Sequence, residues 1–236
     1  MKLGIMQPYF FPYIGYFSII ENTDKFIFFD TPQYIHHGWV NRNRVLNSKN
    51  EVSYITVPIK KAEQTMPIMN IEIDNSKKWK EKIWGLLTVY KKKAPYYNLV
   101  LELLHNILDR EYLKLSDLNI VSTQNVCDYL GISTSLDVFS KMNMPLPEIK
   151  KPDEWALYIT EKEGYSTYVN PPGGKDFFVR EKYSNKNIEL EFLQINFNEY
   201  IQKIGRFEKG LSIIDVMMFC SKSEIMDMLH DYEIIN

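Results

Sequence analysis

The stretch that most limits this chain runs from Leu3 to Ile20, where an apolar run meets Gln7-Pro8-Tyr9-Phe10-Phe11-Pro12-Tyr13-Ile14-Gly15-Tyr16-Phe17. Leu3 to Met6 reads as a buried strand. Pro8 and Pro12 end it, because each lacks a ladder N–H and holds its predecessor extended. Ile14, Phe17 and Ile20 then recur at helical spacing. Asn22-Thr23-Asp24 breaks the helix, and Lys25 to Phe29 reads as a second buried strand ending at Asp30. Strand, helix, strand in so short a span is a parallel β-α-β unit. Such a unit gathers ligands at the carboxyl ends of its strands, the edge that holds Gln7 and Asp30.

Three later stretches carry further chemistry. Gln33 to Val45 has little amphipathic periodicity and reads as a loop rich in gripping groups, with a solvated loop followed by an amphipathic segment whose Arg42 and Arg44 face water as the alternative. Trp39 can stack, Asn41 and Asn43 offer amides, and Arg42 and Arg44 offer planar forks for phosphate or carboxylate. Tyr165 to Gly174 reads as a strand, a rigid Asn-Pro-Pro turn and a Gly-Gly kink before a helix from about Lys175. Gly173 and Gly174 offer backbone N–H groups to an anion, or the positive φ that glycine adopts cheaply. Leu211 to Phe219 reads as an apolar helix. Asp215 is a candidate carboxylate there, although Ser212 and Asp215 also have capping-box spacing. Ser221 and Glu224 repeat that spacing before a terminal helix carrying Ile225, Met228, Leu229 and Tyr232.

Elsewhere the periodicity is more ordinary. Val52 to Ile59 and Met69 to Ile73 alternate as strands. From Ser76 the period becomes helical, with Trp79, Ile83, Leu86, Leu87 and Tyr90 on one face. Lys91-Lys92-Lys93 closes that helix as a solvated end, with a basic lip for an acidic partner as the alternative. A second helix starts at Pro95, and a third is capped by Ser116 and closed by Gly131. Ser133 to Phe139 returns to the sheet, Trp155 to Lys162 is a short helix, and Ile188, Leu190 and Phe192 alternate as a strand. The expected fold is α/β: a Rossmann-like, mostly parallel sheet flanked by helices, with residues 76–131 as a helical layer or subdomain.

Composition excludes more than it assigns. A net charge of −2 argues against a generic nucleic-acid binder. No run of about 18 apolar residues is present, so no membrane span is expected. Cys127 and Cys220 are too far apart for a metal or redox motif, which fits a reducing cytoplasm. His-Glu-x-x-His, Gly-x-Ser-x-Gly and the glycine-rich phosphate loops are absent, so no metal site is expected. His36 and His37 are adjacent and do not face one site together on regular structure.

Gln7 to Phe17, Gly38 to Arg44, Thr167 to Gly174 and Leu211 to Val216 together resemble the signature segments of the WbqC-like protein family, in the family's order and across nearly the whole chain. The resemblance implies a single domain over 1–236 and a bacterial cytoplasmic protein of surface-polysaccharide or glycan-modification pathways. The reaction expected is N-acyl or aminoacyl transfer to an amino sugar, nucleotide-linked, with a carrier-protein or coenzyme A thioester as donor. Alternatives are a nucleotide-dependent transferase or ligase at the same edge, and a non-catalytic sugar-nucleotide-binding module. Acyl carrier protein is then a candidate partner, and self-association stays open. His37 is the candidate base, with Asp30 and Asp215 to orient or replace it. Gln7, Tyr13, Tyr16, Trp39, Asn41, Arg42, Asn43, Arg44, Tyr168, Asn170, Gly173 and Gly174 are expected to bind substrate, over a packing layer of Phe10, Phe11 and Phe17.

Overall fold

The computed structural model describes residues 1–235 apart from 146, 148, 150 and 203–205. In chain order its elements are β1 (Lys2–Met6), α1 (Ile14–Glu21), β2 (Lys25–Phe28), β3 (Arg42–Leu46), β4 (Val52–Thr56), α2 (Trp79–Leu87), α3 (Tyr97–Leu108), α4 (Leu115–Leu130), β5 (Ser135–Val138), α5 (Glu154–Lys162), β6 (Thr167–Asn170), α6 (Arg180–Ser184), β7 (Glu189–Ile195), α7 (Ile213–Phe219), α8 (Lys222–His230) and β8 (Tyr232–Ile235). Six strands form one sheet in the order β5-β2-β1-β6-β7-β8. All neighbours pair in parallel except β7 and β8. Counted within the sheet this is 3-2-1-4-5-6, the order of doubly wound α/β sheets. Mixed α/β architecture and a mostly parallel sheet flanked by helices are as expected from the sequence.

The period of two along each strand sends side chains to two cores. Leu3 and Ile5 enter the core that α5 and α6 cover, with Ala156, Ile159 and Tyr183. Gly4 faces the other way, toward α1, where an added Cβ would lie 2.8 Å from the Phe26 ring. Phe26 and Phe28 join that second, larger core, which continues through α1, α4, α7 and α8 into α2, α3 and the β3–β4 hairpin. The helices of residues 76–131 therefore share apolar packing with the sheet as a layer over it.

Several local expectations fail for identifiable reasons. Residues 42–46 are not loop but strand β3, paired antiparallel with β4. Their alternation was hidden because one inward residue, Asn43, is polar. Residues 68–70 form a 3-10 turn instead of opening a strand, with isolated bridges Ile59–Ile73 and Glu72–Lys114 behind it. After the Gly-Gly pair comes a 3-10 turn, and the next helix starts at Arg180 rather than Lys175. Ser116 lies inside α4, not at its cap. Tyr232 leaves the terminal helix to start β8. Among the described residues no helix is long and apolar enough to cross a membrane.

Candidate functional site

The strand order reverses at β1: successive strands extend to β2 and β5 on one side, then to β6 and β7 on the other. Open α/β sheets leave a crevice at such a reversal, outside the strand carboxyl ends. A cleft of about 1220 Å³ opens there, between Gln7 after β1 and Asn170 to Gly174 after β6. Tyr9, Tyr13 and Trp39 wall one side, and Phe29, Trp155, Phe177 and Phe178 line the other.

The Gln7–Tyr13 loop is held from below. Asn119 donates to the Pro8 carbonyl at 2.9 Å, and buried Asn43 donates to the carbonyls of Phe10 (3.1 Å) and Phe11 (3.0 Å). Ser212 Oγ donates to the Phe11 carbonyl at 2.8 Å, and Ile213 N–H to the Pro12 carbonyl at 2.9 Å. Phe11 needs this support, since its φ of 40° is a left-handed value that a bulky side chain rarely adopts. Phe10, Phe11 and Phe17 are buried beneath the loop. Gly15 leaves room for Tyr13, whose ring would lie 2.4 Å from a Cβ at that position. Tyr16, expected to touch ligand, is wholly buried and donates to the Gln7 carbonyl at 3.0 Å. Burial raises the pKa of Tyr9 and, with Tyr9 beside it, of Tyr13. Both phenols therefore stay neutral, as hydrogen-bonding groups rather than bases.

Of the 38–44 segment, Trp39 lines the main cleft, and Trp39, Asn43 and Arg44 line a side pocket. Arg44 lies in this pocket of about 230 Å³, which shares Tyr9, Tyr13 and Trp39 with the main cleft. Its guanidinium donates to the Gly210 carbonyl at 2.8 Å and stands 5.7 Å from the Trp39 ring centroid. Asn43 is spent on the loop beneath. Asn41 donates to the Val57 carbonyl at 3.0 Å. Arg42 turns away from the cleft, donating to the His37 carbonyl and lying 4.6 Å over the Tyr54 ring. The strand period turns Asn43 inward and sets Arg42 and Arg44 on the opposite face of β3; from there Arg42 reaches toward His37 and Tyr54, and Arg44 toward Gly210 and Trp39.

Asn170 and Gly174 form a matched pair. Tyr168 donates to Asn170 Oδ1 at 2.8 Å, and a Cβ on Gly174 would stand 2.0 Å from Asn170 Nδ2. Space, not positive φ, makes Gly174 a glycine; left-handed glycines are instead Gly131, Gly164 and Gly210. The Gly174 N–H is taken by the Pro171 carbonyl, whereas Gly173 projects no side chain into an open part of the cleft.

The three candidate catalytic residues are not brought together. Asp30 is buried at the end of β2, where it accepts from Ser140 N (3.1 Å) and Ser140 Oγ (2.6 Å), tying β2 to the turn after β5. Asp215 is fully buried and accepts from Tyr90 and Tyr200 hydroxyls, both at 2.6 Å, and from Gln202 at 3.2 Å. Only half of the expected capping box exists: Ser212 caps α7 by accepting from Ile214 N, while Asp215 points into this network. Desolvation raises the Asp215 pKa against the three donors that lower it. His37 is exposed in a turn with φ 63°, between the cleft residues Ile35 and Trp39.

Among the described residues no charged side chain lines the main cleft. Its polar equipment is the amides of Gln7, Gln33 and Asn170, the hydroxyls of Tyr9, Tyr13 and Thr31, and the indoles of Trp39 and Trp155. Sequence reasoning missed Trp155, Phe177 and Phe178, since a lone aromatic on a short helix or turn reads as core. Trp155 packs tilted against Phe29 and edge-on against Phe139, with ring centroids 5.6 and 5.7 Å apart.

A family model described as the WbqC-like protein family matches residues 7–227. The chain is also similar to "Uncharacterized protein Rv1507c" of Mycobacterium tuberculosis (strain ATCC 25618 / H37Rv), 28% identical over 219 residues that make up 92% of each chain. No solved structure matches.

Proposed function

The chain belongs to the WbqC-like protein family, and on that premise we propose that it is an N-acyl or aminoacyl transferase acting on a nucleotide-linked amino sugar, with a thioester as donor. The observation that carries this reading is the cleft itself. It sits at the reversal of the strand order, is walled by aromatics, is served by amides and hydroxyls, and among the described residues holds no charge. Aromatic faces suit sugar rings and nucleobases. The one neighbouring guanidinium, Arg44, stands where a diphosphate can enter the side pocket.

In aminolysis of a thioester the amine nitrogen attacks the carbonyl carbon, the C–N bond forms, the C–S bond breaks, and the amine's proton passes through a base to the departing sulfur, which leaves as a thiol. The amine must arrive neutral. In water an amino group of this kind titrates near pH 8. A largely apolar cleft, with no charged side chain among the described residues of its lining, disfavours the ammonium form and lowers that value. The cleft thus does part of a base's work by desolvation, and His37, exposed between the cleft residues Ile35 and Trp39, is the candidate to relay the released proton. The Gly173 N–H and the Gln7 amide are the donors offered to the developing oxyanion.

A second reading, a non-catalytic sugar-nucleotide-binding module, is favoured by one fact: the buried carboxylates Asp30 and Asp215 are both engaged in structural bonds. Mass spectrometry of amino-sugar nucleotides incubated with acyl thioesters separates the readings. The transferase reading expects a mass gain of one acyl group, lost in His37→Ala and Arg44→Met. Binding without turnover, indifferent to His37→Ala, selects the binding module. A melting shift with ATP or CTP and none with nucleotide-sugars or thioesters overturns both in favour of a nucleotide-dependent enzyme.

A further inference from the structure

We propose that the outer edge of β4, together with α2, is a docking groove for an extended acidic segment of a partner polypeptide, added as a third strand to the β3–β4 sheet. This surface is separate from the cleft, and the inference does not depend on the reaction proposed there.

The first observation is an unpaired strand edge. Asn47 N–H donates to Glu51 O at 2.9 Å and Val57 N–H to Asn41 O at 2.8 Å, which fixes the hydrogen-bonded pairs of the hairpin at odd-numbered residues. Val52, Tyr54 and Thr56 must then turn their N–H and C=O groups outward. On β3 the corresponding outward groups are used: Arg44 O accepts from Ser212 N, and Leu46 N donates to the Tyr90 hydroxyl. Among the described residues, the outward backbone groups of Val52, Tyr54 and Thr56 have no partner.

The second observation is a groove on that edge. A depression of about 520 Å³ is lined by Tyr54, Ile55 and Thr56 on one side and by Ile83, Leu86 and Val89 on the other. Successive strand residues point to opposite faces. When three in a row line one groove, the groove runs along the strand's edge. An edge strand facing a helix across an apolar channel is the arrangement by which domains capture an extended peptide through β-addition.

The third observation is charge, and it selects the partner. Segments 47–56 and 78–93 contain seven lysines and two glutamates, in a chain of net charge −2. Lys82 lines the groove, and Lys49, Lys91 and Lys92 are exposed around it. None of these four forms an ion pair among the described residues. The same lysines oppose pairing with a second copy of this edge, since like charges would meet.

The test uses the full-length protein and a fluorescein-labelled hexapeptide alternating glutamate and valine, against its lysine–valine counterpart. Fluorescence anisotropy is expected to show saturable binding of the acidic peptide, weakened at least tenfold in K82E/K92E and absent for the basic peptide. Thr56→Pro removes one outward N–H without taking a bond from the β3–β4 ladder. It is expected to abolish binding, whereas Thr56→Ala leaves binding intact. If Thr56→Pro does not fold, wild-type amide protection replaces it: the acidic peptide must slow exchange at Tyr54 and Thr56. Absence of binding at millimolar peptide, binding indifferent to Thr56→Pro, or unchanged protection overturns the proposal. Self-association that Thr56→Pro abolishes, with no peptide binding, also overturns it and assigns the edge to a second copy.

Discussion

Asp215 shows what one buried carboxylate can impose on a fold. Desolvation raises its pKa, so the folded chain holds that proton more tightly than the unfolded chain does. Stability from this group is therefore full at acid pH and falls as pH rises from the ordinary carboxyl range through the raised value. Asp215→Asn is expected to flatten that part of the curve of Tm against pH while keeping most of the network. Asp215→Ala is expected to cost about 1–3 kcal/mol, because the Tyr90 and Tyr200 hydroxyls lose their acceptor. Thermal melts across pH 4 to 8 check both; an Asp215→Asn curve parallel to wild type contradicts the assignment. Gly173 and Gly174 give a second contrast. Gly173→Ala enters open space and should leave Tm unchanged, whereas Gly174→Ala drives into Asn170 and should lower it. Equal melting of the two variants would show that Asn170 yields without cost. Neither role could be read from the sequence, where Asp215 and the glycine pair each carried two meanings. The deciding contacts are a hydrogen bond from residue 90 to residue 215 and the close approach of the Asn170 side chain to Gly174.

At the scale of elements, the first β-α-β unit was legible because its signals are local. Two prolines stop a strand, an apolar period of about 3.6 marks the helix, and a four-residue apolar run marks the next strand. Strand β3 was not legible, since polar Asn43 occupies an inward position and masks the period of two. That same residue joins two of the family segments, 7–17 and 38–44, with Ser212 joining a third. Part of three of the four family-like segments thus builds the loop rather than lining the cleft. Asn43→Ala leaves the Phe10 and Phe11 carbonyls without their side-chain donor and is expected to destabilise by about 1–3 kcal/mol. Ser212→Ala is expected to act in the same direction. Both should also weaken ligand binding at the cleft, as seen by titration calorimetry at a temperature where each variant is folded. Unchanged affinity in both would show that the loop keeps its shape without them.

For the whole molecule, the cleft matters because it takes one wall from each core. Tyr9 and Tyr13 belong to the α1 side, while Trp155, Ala156, Tyr168 and Phe178 belong to the α5 side. A ligand seated there bridges the two layers, so its binding adds to the stability of both. Saturation at one hundred times Kd is expected to contribute about 2.7 kcal/mol, with both layers melting in one calorimetric transition. A ligand that shifts one of two resolved transitions would contradict this coupling. The uncharged lining makes a further demand on transfer to an amine. Its rate should level off at a pH below the amine's own pKa in water, and introducing Gln7→Glu should push that plateau upward by stabilising the ammonium form. A pH profile indifferent to Gln7→Glu would remove desolvation from the mechanism.

Helix α1 is buried along nearly its whole length, and Ser18 and Asn22 both donate to the carbonyl of Leu229, at 2.6 and 2.9 Å, on α8. On a ribosome the two partners are separated by 211 residues. At roughly 5–20 residues per second, the nascent chain carries an apolar helix without its cover for on the order of ten seconds or more. The element that anchors the ligand loop is thus made early and completed late, which makes the emerging polypeptide a client for chaperones that shield apolar helices during synthesis.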